Sequence, residues 1–139
     1  RYKGCIQSFE KHKMVFDELH NYSDARFSFE GAYQAMVNLM EKKSDLTAVF
    51  AMSDVMAIGA ARALKDMGKR VPEDISVIGF DGITLADYYN PKLSTIRQQY
   101  KFLARRSVEM LFHMVDFADD PIHEVIPFEL VTGESVRTI

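Results

Sequence analysis

The sequence predicts an α/β fold in which a mainly parallel sheet is flanked by helices. Short runs rich in β-forming residues alternate with longer segments whose apolar residues recur at helical spacing. The run from Ile75 to Phe80 has no regular polar alternation, which is typical of a parallel strand covered on both faces. With 139 residues, of which 47% are hydrophobic, the chain can form one domain with a buried core.

The elements follow one another along the first half of the chain. Apolar spacing predicts a first helix over residues 2–16, and a short extended segment is expected over residues 19–22. A second helix is predicted where Ala32 to Met40 fall on one stripe. The β-prone run 47–51 then predicts a strand.

A third helix is predicted directly after this strand. Ser53 and Asp54 can cap its start and complement its dipole, although Asp54 could equally serve a site. The stripe from Met56 to Met67 continues the helix, and Gly68 ends it.

The second half of the chain predicts further strands and one long helix. After the buried strand that ends at Phe80, a short strand is expected over residues 95–98 and a helix over 104–115. Two strand-like pieces, 124–126 and 128–132, finish the chain.

Composition argues against several classes of protein. The formal charge is -3, from 17 basic and 20 acidic residues, so the chain itself should bind nucleic acid poorly. The single cysteine, Cys5, excludes an intramolecular disulfide, and no run is long enough to span a membrane. We therefore expect a cytoplasmic protein, and the absence of an initiator Met indicates a fragment.

No catalytic motif is visible. The sequence lacks a P-loop, a dinucleotide fingerprint and a nucleophile elbow, and its four histidines show no metal-ligand spacing. We therefore expect no enzyme activity, no cofactor and no metal.

Strand ends mark where a ligand is expected. In open α/β sheets the ligand crevice lies beyond the carboxyl ends of the strands, which selects the residues after Ala51, Phe80 and Ile96. Asp81 is the first residue after the buried strand, and its carboxylate could accept hydrogen bonds from hydroxyl or amine groups. The alternative is a loop aspartate that caps nearby amides, and position alone does not decide between the two.

Three segments resemble one known family. Residues 47–60, 71–81 and 91–98 are similar, in order and spacing, to the motifs of lactose/galactose-repressor-type (LacI/GalR) transcription regulators. The resemblance implies the C-terminal part of a type I periplasmic-binding-protein-like effector domain. Residues 1–98 and 118–139 would form its C-terminal lobe, the helix 99–117 would belong to the N-terminal lobe, and the helix-turn-helix would be absent from this chain.

The resemblance also implies an effector site, which would bind a small molecule, expected to be a carbohydrate. Arg1 matches an arginine that binds polar groups of the effector, Asp81 an aspartate that accepts from them, and Phe27 an aromatic that stacks on the ligand. Ser53 stands where many sugar-responsive members have Asn, and Tyr100 falls at a hinge-side aromatic position.

The implied function is effector sensing for a DNA-binding transcription regulator, with operator DNA bound only through the absent segment. The alternative is a transport-type sugar-binding protein of the same fold. Family members also pair as homodimers, which would place Ile58, Tyr88 and Tyr89 at the interface. The other possibility is that both tyrosine rings cover their own lobe.

Overall fold

The computed structural model describes residues 1–117 and 123–138. Within these ranges it contains the following helices and strands: α1 (Tyr2–Lys11), α2 (Glu18–Asn21), α3 (Phe29–Lys42), β1 (Ala48–Phe50), α4 (Asp54–Asp66), β2 (Ser76–Asp81), α5 (Thr84–Tyr88), β3 (Ser94–Gln98), α6 (Tyr100–Phe117) and β4 (Phe128–Val131).

The strands form one sheet in the order β1-β2-β3-β4. β1, β2 and β3 are mutually parallel, and β4 pairs antiparallel with β3. The mainly parallel α/β sheet predicted from the sequence is therefore confirmed. Because Asp81 is opposite Arg97 in the register, the last residues of β2 and β3 reach the same edge of the sheet. We call this edge the carboxyl edge and the opposite one the amino edge.

The core lies between the sheet and the pair of helices α3 and α4. Its largest fully buried side chains include Met36, Leu64, Ile75 and Leu93. The two helices approach closely at Gly59, where an added Cβ would collide with the carbonyl oxygen of Phe29. This packing fixes α4, and therefore the residues that begin it, against the sheet.

Both packed helices begin at serine caps. Ser28 Oγ accepts from the Gly31 amide at 2.9 Å, and Ser53 Oγ accepts from the Met56 amide at 3.2 Å. These bonds satisfy amides that have no partner within the first turn. The predicted cap at Ser53 is confirmed.

The sequence-based boundaries are wrong at three places. The first helix ends at Lys11 instead of residue 16, and Lys13 then adopts a left-handed φ of 56°. Within residues 19–22 only Tyr22 is extended, because the Asp17 side chain accepts from the Leu19 amide and starts helix α2, which ends at Asn21. Residues 124–126 form no strand, since β4 begins only after Pro127, which has no amide to donate.

Helix α6 differs from the other long helices in its exposure. Its apolar residues Leu111, Phe112 and Val115 are 59%, 64% and 71% exposed. The helix spans the predicted segment 99–117, whereas its assignment to a different lobe stays a prediction. Residues 118–122, at the start of the predicted segment 118–139, and residue 139, at its end, lie outside the described ranges.

No helix in the part of the chain that the structure describes is long and apolar enough to cross a membrane.

Candidate functional site

Three polar side chains meet at the carboxyl edge. Arg1 Nη2 lies 2.6 Å from Asp81 Oδ1, and Gln98 Nε2 donates to the same oxygen at 2.7 Å. We call Arg1, Asp81 and Gln98 the strand-end cluster. Arg1 Nη1 also donates to the carbonyl oxygen of Met52 at 2.5 Å, which ties the cluster to the end of β1. The cluster thus joins the ends of three adjacent parallel strands.

The cluster is held in place but remains open to solvent. The Arg1 guanidinium lies over the Phe80 ring, 4.2 Å from its centroid, which adds a cation–π contact to the ion pair. The side chains of Arg1 and Asp81 are 30% and 28% exposed. A ligand can therefore reach both charged groups without unfolding any element around them.

The backbone at Asp81 is unusual. Asp81 has a φ of 121°, outside the range that L residues favour, and Gly82 follows with a φ of 73°. An added Cβ at Gly82 would lie 2.7 Å from the Cα of Arg97 on the neighbouring strand. Close packing on β3 therefore requires glycine at this position.

The geometry determines which hydrogen bonds remain available. Asp81 Oδ1 already accepts from two donors, whereas Oδ2 lies at 3.4 Å from Arg1 Nη1 and keeps free acceptor capacity. The Arg1 guanidinium keeps N–H groups that can donate to a ligand oxygen. The pair can thus accept from one hydroxyl and donate to its neighbour.

A cleft of about 820 Å³ lies beside the cluster. Arg1 and Gln98 supply polar groups to its wall, and Phe80, Ile96 and Phe128 supply apolar surface. A few convergent polar groups in a mostly apolar concavity are typical of small-molecule sites.

Phe27 lies in a neighbouring cavity. This cavity has a volume of about 250 Å³, and Phe27 and Met52 are among the residues that line it. The two cavities share Cys5, Phe9 and Phe50 in their walls. Phe27 is 63% exposed and has a left-handed φ of 50°, so its ring is presented to solvent.

The structure does not bring Ser53 and Tyr100 to the strand-end cluster. Ser53 is 5% exposed, and its hydroxyl is the cap of α4. Tyr100 is 58% exposed at the start of α6 and lines neither cavity. Their roles as effector contacts stay predictions.

Sequence reasoning missed two members of the site. The strand-end rule pointed to the loop at Gln98, but nothing in the sequence showed that its amide would reach Asp81, 17 residues earlier. Met52 contributes its backbone carbonyl oxygen, which every residue has, so its side chain gave no indication of this role.

Within the described ranges, no group of His, Cys, Asp and Glu residues could hold a metal ion.

A second, separate groove lies on the face formed by α3, α4 and the segment after α5. It has a volume of about 420 Å³, and Ile58 and Tyr89 line it together with Tyr33 and Arg62. Burial raises the pKa of Tyr89, whereas Tyr88 is 82% exposed. Two of the three interface residues implied by the resemblance, Ile58 and Tyr89, line this groove, and their role in a dimer stays a prediction.

Comparison with known proteins gives consistent matches. A family described as periplasmic binding protein-like domain matches residues 1–136. The transcriptional regulator MalR of Clostridium butyricum is 43% identical over 108 residues, covering 78% of this chain and 32% of that protein. The transcriptional repressor PurR of Pasteurella multocida is 40% identical over 140 residues, covering 99% of this chain and 41% of that protein. The chain thus spans well under half the length of these relatives.

Solved structures give the same result. A complex of the transcriptional regulator CelR with cellobiose superposes with a TM-score of 0.86 at 30% identity, covering 93% of this chain and 39% of that one. A sugar-binding LacI-family regulator from Escherichia coli, complexed with phosphate, has a TM-score of 0.85 at 28% identity, covering 98% of this chain and 49% of that one. The chain therefore belongs to the periplasmic binding protein-like domain family, in the branch that LacI-type transcriptional regulators represent.

Proposed function

We propose that this chain is the effector-sensing part of a transcription regulator and that it binds a carbohydrate at the strand-end cluster. The observation that carries the proposal is the partly exposed Arg1–Asp81 pair, preorganised at 2.6 Å beside a cleft. A charged donor and a charged acceptor at one spot match the adjacent hydroxyl groups of a sugar ring. The cellobiose complex of CelR supports this class of ligand.

In this proposal the remaining predicted residues have defined roles. Phe27 offers an exposed aromatic face on which the apolar side of a sugar ring can stack. Tyr100 and Ser53 contribute only at the margin, since one lies outside both cavities and the other is buried as a helix cap. The chain uses no cofactor and carries out no reaction.

The binding partners of the full-length protein are inferred from the net charge of this chain and from the regulators that it resembles. The chain carries a formal charge of -3, so specific operator binding belongs to another segment of the full-length protein. The intact regulator works in the cytoplasm as a homodimer that pairs through the groove containing Ile58 and Tyr89, with Tyr88 beside it. The exposed face of α6 packs against the rest of that protein.

A transport-type binding protein is the alternative. The matched relatives are named as transcriptional regulators, and this favours the sensing role. Gel-shift experiments separate the two: the full-length protein should retain a palindromic operator, whereas the 139-residue chain should not. Operator-specific retention by the short chain alone would contradict the assignment of DNA binding to another segment.

The effector site is tested by calorimetry on the full-length protein with a panel of sugars and nucleobases. Asp81→Asn removes the charge but keeps the shape, and should weaken sugar binding by roughly 10- to 100-fold, the value of one or two charged hydrogen bonds. Asp74→Asn is the matched control, because Asp74 also pairs with an arginine in a partly exposed position and lines neither the cleft nor the groove that contains Ile58. Equal affinity of the parent and Asp81→Asn would place the site elsewhere.

A further inference from the structure

A second aspartate lies close to the carboxyl edge, inside the protein. Asp54 is the first residue of α4, and its side chain is fully buried. Its Oδ2 accepts from the Ile83 amide at 2.8 Å, and its Oδ1 accepts from the Thr95 hydroxyl at 2.5 Å. Burying a carboxylate costs its hydration, and hydrogen-bond donors and a favourable electrostatic field must offset that cost. Here the dipole at the N-terminus of α4 supplies the field.

Asp54 is not the cap of its own helix. Ser53 Oγ already accepts from the Met56 amide, whereas both hydrogen bonds of the Asp54 carboxylate go to other elements. These partners follow Asp54 by 29 and 41 residues in the sequence. The side chain therefore links α4 to the turn after β2 and to β3.

Both partners are neighbours of the strand-end cluster along the chain. Ile83 follows Asp81 by two residues, and Thr95 precedes Gln98 by three residues on the same strand. Asp81 and Gln98 are the acceptor and donor of one of the cluster's hydrogen bonds. Asp54 thus holds the turn after β2 and strand β3 in place. The relative position of these two segments determines the hydrogen bond between Gln98 and Asp81.

The Asp54 carboxylate packs directly against Gly79 of β2, where only glycine leaves room for it. An added Cβ at Gly79 would collide with Asp54 Oδ1 and would lie 3.1 Å from Leu93 Cδ2. The turn that Asp54 holds is also strained at Asp81, a non-glycine residue with a φ of 121°. Strained backbone persists only where surrounding contacts determine it, and the bond from the Ile83 amide is such a contact.

We propose that Asp54 is a positioning residue for the effector site: its buried carboxylate holds the Asp81–Ile83 turn and β3 so that Asp81 faces Arg1 and Gln98. This inference rests on the proposed function of the strand-end cluster. Asp54 itself touches no ligand, and its effect on binding is transmitted through Asp81.

The chemistry of the two partners predicts which substitution is tolerated. The Ile83 amide can only donate, so it requires an oxygen at Asp54 Oδ2. The Thr95 hydroxyl can donate or accept, so an amide nitrogen can replace Oδ1. Asp54→Asn should therefore keep both bonds, whereas Asp54→Ala loses both.

The experiment uses hydrogen exchange on the ligand-free, full-length protein. In Asp54→Ala the amides of Gly82 and Ile83 should exchange roughly tenfold faster, the factor expected for the loss of a buried hydrogen bond, and Asp54→Asn should restore protection. Ser135→Ala is the matched control, because it also removes a buried side chain with two hydrogen bonds, to Ser94 and Val77 at the amino edge. In the control, exchange at residues 82 and 83 should match the parent.

Calorimetry with cellobiose is the second readout. Asp54→Ala should weaken binding about tenfold, while Asp54→Asn and Ser135→Ala should bind like the parent. If the parent does not bind a sugar, the proposed function fails, but the exchange result still decides the role of Asp54. Unchanged exchange at residues 82 and 83 in Asp54→Ala, or equal acceleration in Ser135→Ala, would overturn the proposal.

A second variant covers the case in which Asp54→Ala does not fold. Thr95→Val keeps the shape of the side chain and removes only one donor to Asp54. Exchange should then rise at residues 97 and 98, and a protein with parental exchange there would contradict the positioning role.

Discussion

The two edges of the sheet differ in how their polar groups are satisfied. At the amino edge Ser135 is fully buried, donating to the Val77 carbonyl at 2.6 Å and accepting from the Ser94 amide at 2.8 Å. At the carboxyl edge Arg1 and Asp81 are about a third exposed and keep unused hydrogen-bonding capacity. The Ser135 hydroxyl thus uses its hydrogen bonds to hold the chain together, whereas Arg1 and Asp81 keep the capacity that the proposed ligand would use.

Backbone conformation follows the same division. At the carboxyl edge, Asp81, the last residue of β2, and Gly82, which follows it, both have a positive φ. At the amino edge the last residues of the chain instead reinforce the sheet, since the Val77 amide donates to the Ser135 carbonyl at 2.8 Å. Strain at ligand-facing turns beside regular packing elsewhere is a common property of binding proteins.

The largest expected effect is that of Gly82→Ala. The left-handed φ of 73° and the collision with Arg97 should together destabilise the protein by about 2 to 4 kcal/mol and weaken effector binding. Gly68→Ala is the control, because Gly68 has a φ of 74° but no atom within 4 Å of an added Cβ. Urea denaturation should show a clearly smaller loss of unfolding free energy for Gly68→Ala than for Gly82→Ala. Equal losses would mean that the close packing of residue 82 on β3 does not contribute to stability.

A smaller loss of stability is expected at the amino edge. Ser135→Ala leaves the Ser94 amide without its partner and should destabilise the protein by about 1 to 3 kcal/mol. Effector affinity should not change, because the substitution lies at the edge opposite the cluster. Denaturation and calorimetry on the same samples check both parts, and a parallel loss of affinity would remove the distinction between the edges.

Phe27→Ala tests the aromatic part of the site. Removing an exposed stacking surface should weaken sugar binding by roughly 1 kcal/mol, about fivefold. The melting temperature should stay near that of the parent, because the ring is 63% exposed and contributes little packing. Parental affinity in a calorimetric titration would exclude Phe27 from the effector site.

The smallest effect concerns acid sensitivity at the amino edge. The Arg70 side chain and amide lower the pKa of Asp74 to about 2, below its ordinary value of 3.8. A lowered pKa in the folded state stabilises the protein above about pH 4, and this contribution is lost as the pH falls toward 2. Asp74→Asn should therefore make the melting temperature depend less on pH over that range. If the melting temperature of the variant varies with pH as in the parent, the Arg70–Asp74 pair does not contribute to folding stability.

Local signals were sufficient to predict most of the fold. β-forming runs predicted β1, β2 and β3, and the helical stripe with its serine cap predicted α4, because these signals lie within a few residues of one another. Helix α5 was missed because its five residues are too few for a periodic pattern. The start of α2 depends on one hydrogen bond from the Leu19 amide to Asp17, which propensity alone did not reveal.

The site was only partly predictable, for a physical reason. Asp81 was found from its place at the end of a strand, but its partner Arg1 is 80 residues away in sequence and became a candidate only by resemblance to a family. The role of Asp54 was left open, because burial and contacts over such distances have no local signature. Pairings between distant segments are set by the sheet order and register, which the pattern of single residues does not encode.

The most direct test compares one residue from each edge in the same titration. Sugar binding to the full-length parent, Asp81→Asn and Ser135→Ala is measured by calorimetry, and folding stability is measured alongside by urea denaturation. We expect Asp81→Asn to bind roughly 10- to 100-fold more weakly at parental stability, and Ser135→Ala to bind like the parent at reduced stability. Parental affinity in Asp81→Asn, or a loss of affinity in Ser135→Ala as large as its loss of stability, would contradict a ligand site at the carboxyl edge.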